Sequence, residues 1–190
     1  MNTARSSDSL RDHFLLAMPG LTEGIFSHSI AYICEHGESG AMGIIINQTL
    51  DLTVQEIFEH LQITSASDFS GEPVLAGGPV HMDHGFVLHR GCDRKWEASL
   101  KVTPEVSLTT SRDILRAIAI GEGPDDHLIA LGYAGWSAGQ LEQELTDNAW
   151  LTLPGDSDII FLTPAHQRLS AAAAQLGVDM NLISGQAGHA

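Results

Sequence analysis

Three short apolar segments open the chain, at residues 13–19, 29–35 and 42–47, each rich in Leu, Ile and aromatic side chains and bounded by Gly or polar residues. That pattern belongs to strands. The period then changes. Thr53 and Glu56 have capping-box spacing, and Ile57, Phe58 and Leu61 recur at helical intervals, so a helix is expected to begin there. Residues 73–109 carry strand-like pieces at 74–76, 85–89, 98–102 and 106–109 with turn signals between them, and read as a meander. Thr110 and Asp113 announce a second helix of about eleven residues. Ile114, Leu115 and Ile118 form its apolar stripe, and Gly121 and Gly123-Pro124 end it.

Residues 127–133 read as a buried strand, followed by a tight segment at 132–136 and a helix that opens at Ser137, where Gln140 completes a second capping-box pattern. Residues 150–153 and 158–162 supply the last strands. The final helix is announced by Thr163 as cap, Pro164 at the first position and Gly177 at the end, and its run of alanines at 171–174 permits close packing. Strands come first and helices are interspersed irregularly. The expected class is therefore α+β, a mixed β-sheet curled into a partial barrel with about four flanking helices, rather than strict βαβ alternation.

At 190 residues and 43% hydrophobic, the chain can close one sizeable core without disulfides or a structural metal. No repeat or linker divides it, so a single domain over residues 13–190 is expected after a flexible segment at 1–12. The apolar runs are too short to span a bilayer, and the polar N-terminus lacks the build of a signal peptide, which points to the cytoplasm and no membrane. Nine basic residues against 24 acidic ones give a net charge of −15, which disfavours direct nucleic-acid binding. Four of the nine cations, Arg90, Arg94, Lys95 and Lys101, fall close together, and are read first as a solvated hairpin or loop. Cys34 lies in an apolar run and reads as a core residue, whereas Cys92 sits among cations that favour a thiolate.

The sharpest chemical motif is Gly135-Trp136-Ser137-Ala138-Gly139, a G-x-S-x-G nucleophile elbow between a predicted strand and a predicted helix. Asp147, Asp156 or Asp158 with His166 or His189 would complete a triad in chain order; the competing reading makes Ser137 a plain helix cap. His81, Asp83, His84, His89 and Cys92 are all metal-ligand types, but the spacing matches no zinc signature, and on a strand His84 and His89 would face opposite ways. No metal and no cofactor are expected. Gly77-Gly78-Pro79 could approach an anion closely yet matches no phosphate loop, so a structural turn is the preferred reading. His36 and Asn47 each end a strand; a parallel pair would bring them together and an antiparallel pair would separate them.

Several ordered segments are similar to a known family: Phe14-Leu15-Leu16-Ala17-Met18-Pro19, Glu35-His36, Gly40-Ala41-Met42-Gly43, Ile46-Asn47, Gly77-Gly78-Pro79-Val80, Gly85-Phe86-Val87-Leu88-His89, Ser111 to Leu115, Gly132-Tyr133-Ala134-Gly135-Trp136, Gly139-Gln140-Leu141-Glu142, Asn148-Ala149-Trp150-Leu151 and Gly188-His189-Ala190. Together they resemble the YqgE/AlgH-like family over roughly residues 13–190. The resemblance implies an α+β fold with a partly closed barrel. It also implies a role described only as uncharacterised or as transcriptional regulation, and it brings no cofactor or catalytic mechanism. The chain departs from the family's pattern at Gln48-Thr49, where Arg-Pro often follows the Asn, and at Leu169, where Trp is common. The expected function is indirect regulation through a protein partner or small-molecule ligand, with the oligomeric state open. Ligand-binding candidates are His36, Asn47, Gly77, Gly78, Pro79, Ser111, Tyr133, Trp136 and Gln140. The alternative is a small hydrolase or transferase with a pocket near His36, Asn47, Gly77, Gly78 and Ser137, for which Ser137 and His166 are the catalytic candidates.

Overall fold

A computed structural model describes residues 9–22, 24–91 and 94–180. Among them, one ten-stranded sheet curls into a half-barrel and carries five α-helices. The strands are β1 (His13–Ala17), β2 (Ile30–Gly37), β3 (Gly40–Ile45), β4 (Thr49–Thr53), β5 (Pro73–Ala76), β6 (Val80–Arg90), β7 (Ser99–Lys101), β8 (Val106–Thr109), β9 (His127–Ser137) and β10 (Trp150–Pro154). The helices are α1 (Val54–His60), α2 (Arg112–Ala119), α3 (Gln140–Thr146), α4 (Ser157–Phe161) and α5 (Ala165–Gln175). The main strand order is β10-β1-β2-β3-β9-β6-β8-β7. β4 joins through β5, whose Leu75 and Ala76 run parallel to Ala130 and Leu131 of β9.

Alternation along the strands divides the core by face, as the pleat requires. Phe14, Leu16, Ile30, Tyr32 and Ile44 point to one side, where Ile159, Ile160, Ala172 and Ala173 of α4 and α5 cover them. Their neighbours Leu15, Ala17, Ala31, Ile33 and Ile45 point to the other, against Trp136, Leu141 and Trp150. A third cluster packs Val54 and Phe58 of α1 and Ile114 and Ile118 of α2 onto Val74, Val87 and Ile129. β1 is therefore buried on both faces, which is why its sequence is apolar throughout rather than alternating. Each fully buried Leu or Ile contributes about 1.5–3 kcal/mol.

The turning point of the sheet is Gly132, with φ +72 in the middle of β9. Residues 127–131 pair with β6 and residues 134–137 with β3, while Tyr133 just past the bend still pairs with Val80 of β6. The bend lets two glycines approach: a Cβ on Gly132 would stand 2.3 Å from the Gly78 carbonyl oxygen, and one on Gly77 would stand 2.3 Å from that of Gly132. Gly77 itself donates to the Leu131 carbonyl and accepts from the Ile45 N–H, so it carries the edge of β9 from β5 to β3. A side chain at Gly77 or Gly132 would force this junction apart. Opposite the bend, residues 81–84 of β6 bulge outward between the Val80–Tyr133 and Gly85–Leu131 pairs.

Several expectations are corrected. Residues 132–136 are not a turn, and no helix opens at Ser137: β9 continues through Ser137 because residues 134–137 pair with 40–43, and α3 starts after Gly139. Residues 158–162 form most of α4 rather than a strand, because the Asp156 carboxylate accepts from the N–H groups of Asp158 and Ile159 and caps a helix there. Residues 73–109 are not a meander, since β5 pairs with β4 and β9 while β6 pairs with β8 and β9. The helix expected at about eleven residues, α2, has eight, and the flanking helices, expected at about four, number five among the described residues. The Thr53–Glu56 capping box forms with both of its bonds.

Candidate functional site

His36 comes near the end of β2, where the hairpin to β3 leaves the sheet. Its ring is placed by two partners. The Leu10 N–H donates to Nδ1 at 2.8 Å, which puts the ring proton on Nε2, and Nε2 donates to Glu142 Oε1 at 2.8 Å. The Glu142 carboxyl is held below its ordinary range, first by its own backbone N–H and then by His36. Both imidazole nitrogens are thus committed, and neither is free to take a proton from a substrate. Around them lies a cleft of about 360 Å³ lined by Arg11, Glu35, Ser39, Met42 and Trp136 among others.

Across this face a second chain of bonds runs from β9 into α3. The Ser137 hydroxyl donates to Gln140 Oε1 at 3.2 Å, and the Ser137 N–H donates to the same oxygen at 3.0 Å. Gln140 Nε2 donates to Glu144 Oε1, while Glu144 Oε2 accepts from the indole N–H groups of both Trp136 and Trp150, each at 2.8 Å. Ser137 is extended at the end of a strand, without the left-handed backbone of a sharp elbow. No histidine bonds its hydroxyl among the described residues; His166 stands exposed at the start of α5 beside Gln167. The arrangement can bind and can present a rigid surface, but it holds no poised nucleophile.

The remaining candidates are dispersed. The β2–β3 ladder is antiparallel, so Asn47 lies at the far end from His36, where its side chain accepts from the Ile30 N–H and donates to the His28 carbonyl. Gly77 and Gly78 are buried in the sheet junction, and Pro79 is exposed beyond it. Ser111 anchors the start of α2: it donates to Asp113 Oδ1 and accepts from the Ala98 N–H. Tyr133 is half-buried against Phe86 and His81. His36, Trp136 and Gln140, with Ser137, share one neighbourhood, while Gly77, Gly78 and Tyr133 meet at the sheet junction.

The other constellations resolve in similar fashion. Residues His81, Asp83 and His84 bring their ligand atoms within 4.8 Å of one another on the exposed bulge of β6, a grouping that could take a divalent cation. The Asp83 carboxyl is lowered, chiefly by its bond to His84. His89 stands apart and buried: Nδ1 bonds the Arg90 carbonyl and Nε2 bonds Thr109, with burial holding its pKa below the ordinary value. Cys34 is sealed in the core, where burial pushes the thiol up, and Cys92, like His189, lies outside the described residues.

Within the basic stretch Arg94, Lys95 and Lys101 are exposed, as expected of a solvated segment, while Arg90 is tied into the fold. Arg90 bonds Asp126, Asp158 and Ser157 and lies over the Phe161 ring, and Arg94 lies over Trp96. Among the described residues, no helix is long and apolar enough to cross a membrane. Sequence reasoning missed two polar residues that line a second cavity, His127 and Arg168. A signal was present for the latter, since Arg168 shares a helical face with Ala172 four residues on, a charge in line with small apolar side chains.

Fold and site together define a small acidic α+β protein with a polar cleft at the β2–β3 hairpin, flanked by a network of mutually bonded side chains. The AlgH-like family model matches residues 14–181, and the chain belongs to that family. A UPF0301 protein from Saccharophagus degradans is 56% identical over 182 residues, 96% of this chain and 89% of that one. The solution structure of the AlgH protein from Pseudomonas aeruginosa is similar with a TM-score of 0.79 and 46% identity over the whole of both chains. A crystal structure of a Corynebacterium diphtheriae protein shares the fold, with a TM-score of 0.73 at 16% identity and 96% and 95% coverage.

Proposed function

We propose that this protein is a cytoplasmic regulator that acts indirectly, by binding a protein partner or a small ligand at the His36 cleft, and that it is not an enzyme. The observation that carries this reading is the closure of the polar network: His36, Glu142, Ser137, Gln140 and Glu144 satisfy one another, leaving no base beside a nucleophile. Such a network holds a surface in one shape, which suits recognition. The charge of −15, with Arg90 paired to Asp126 and Asp158 and the exposed Arg94 paired to Glu122, opposes docking on a phosphate backbone.

Three assays on the full chain test it together. Short acyl esters are expected to turn over no faster with the wild type than with Ser137→Ala. Duplex DNA is expected to bind weakly and without sequence preference. A partner or ligand co-purifying from native lysate is expected to lose affinity at least about tenfold in Met42→Glu, a change on the cleft wall that puts an unpaired charge in the contact. Esterase turnover abolished by Ser137→Ala, or specific salt-sensitive duplex binding, would overturn the reading.

A further inference from the structure

Beneath the first turn of α5 lies a second cavity, of about 390 Å³, which shares no lining residue with the His36 cleft. Arg168 reaches it from the second turn of that helix and is only 5% exposed. Its Nε donates to the Thr163 carbonyl and its Nη1 to the Ile46 carbonyl; Nη2 keeps some solvent access on the cavity side and makes no bond to the described residues, and no carboxylate pairs with the guanidinium among them. Burial without a counter-ion brings its pKa down to about 10. A buried cation left in this state is costly unless something completes it.

One further group on the same wall lacks an acceptor, and a histidine beside it is only partly satisfied. The α5 N-terminus begins at Pro164 with no side-chain cap and no acid in its first turn; the Thr163 hydroxyl turns back to the Asp158 carbonyl instead. The N–H groups of Ala165 and His166 therefore have no intrahelical acceptor, and the helix dipole adds positive potential there. His127 donates from Nδ1 to the Pro124 carbonyl, while its Nε2 is sealed from solvent without a hydrogen bond. Glu72 stands 3.4 Å from that nitrogen, close enough to pair electrostatically yet not in hydrogen-bonding geometry. Burial opposes charging of His127, but Glu72, the Pro124 carbonyl and Asp126 outweigh it and raise its pKa.

We propose that this cavity is a binding site for a small organic oxyanion, its head held by Arg168 Nη2 and the α5 N-terminus and its apolar body lying against Val54, Leu75 and Ile129. The volume suits a compact ligand. Carboxylates and phosphate monoesters share the required chemistry. Glu72 and Asp125 at the rim are the site's own opposing charges, so the ligand binds against Glu72, and neutralising that residue tightens the complex.

Calorimetric titration of the full chain with butyrate, n-butyl phosphate and n-butanol tests this. At least one anion binds saturably, with Kd on the order of 1 mM for so small a probe, and butanol does not. The stronger of the two anions identifies the head group. Glu72→Gln, at a half-exposed position, strengthens binding about fivefold. Arg168→Met weakens it at least about tenfold in a protein whose circular dichroism matches the wild type. Should that variant fail to fold, the Glu72→Gln result decides. Absence of saturable binding by both anions, equal binding of butanol, or no strengthening in Glu72→Gln overturns the proposal. That failure would leave the reading of the His36 cleft untouched, since the two sites share no residue.

Discussion

The cleft beside His36 and the cavity beside Arg168 are similar in volume, about 360 and about 390 Å³, and opposite in construction. In the first, each ring nitrogen, amide and carboxylate of the network has found a partner within the chain. In the second, Arg168 has no carboxylate partner among the described residues, His127 Nε2 faces Glu72 at 3.4 Å without hydrogen-bonding geometry, and the α5 N-terminus has no side-chain cap. A saturated network is a framework, and leftover buried donors mark a place for a ligand. Residue type does not distinguish the two, because both hold a histidine, a carboxylate and an arginine. The count of completed bonds does.

The largest test of this contrast is Glu144→Ala. Trp136 and Trp150 are both 5% exposed, so removing their shared acceptor leaves two buried indole N–H groups and should cost about 3 kcal/mol by chemical denaturation. Glu144→Gln, which keeps one acceptor, should recover most of it. A loss under about 1 kcal/mol would mean that water replaces the carboxylate and that the cleft is not a closed network. Anion binding at Arg168 should be unchanged in either variant.

Next in size is a difference between histidines. His89, with both nitrogens bonded in a dry site, has its pKa below the ordinary 6.5; its contribution to stability is complete above 6.5 and is lost as pH falls through the lower folded value. His127, facing Glu72, has its pKa raised; its contribution is complete below 6.5 and is lost as pH rises through the higher folded value. Imidazole proton resonances should therefore titrate in the order His89, then His127, as pH rises. Glu72→Gln should move only His127 downward, and a reversed order would break the distinction between the two sites.

The smallest effect should come from Glu142→Gln. The carboxylate is half exposed, and glutamine can still accept from His36 Nε2, so stability near neutral pH should change by less than about 0.5 kcal/mol. Because the folded carboxyl is held low, even this contribution is present above the unfolded value and fades as pH falls through the folded one. A cost near about 2 kcal/mol would show that His36 depends on the charge itself.

What could be read in advance divides by the range of the cause. Thr53 and Glu56 announced α1 because both halves of that cap lie within four residues. The Ser137–Gln140 pair was equally visible, and the two side chains do bond, yet pairing with residues 40–43 from far along the chain keeps Ser137 in a strand. Residues 158–162 look like a strand by composition, and the one carboxylate of Asp156 decides otherwise. The separation of His36 from Asn47 needed the ladder's direction, which no local pattern encodes. Arg168 was the hardest case, since its Ile46 partner is 122 residues away and the cavity is walled by α1, β5, β9 and α5 together.

The most direct measurement is a map of backbone amide and imidazole shifts while n-butyl phosphate or butyrate is titrated into the full chain. Saturable changes should gather at Ala165, His166, Arg168 and His127, with Ser137, Gln140 and the His36 ring unmoved. Changes confined to residues 35–42 and Trp136, or none at α5, would contradict the assignment of framework to one site and ligand to the other.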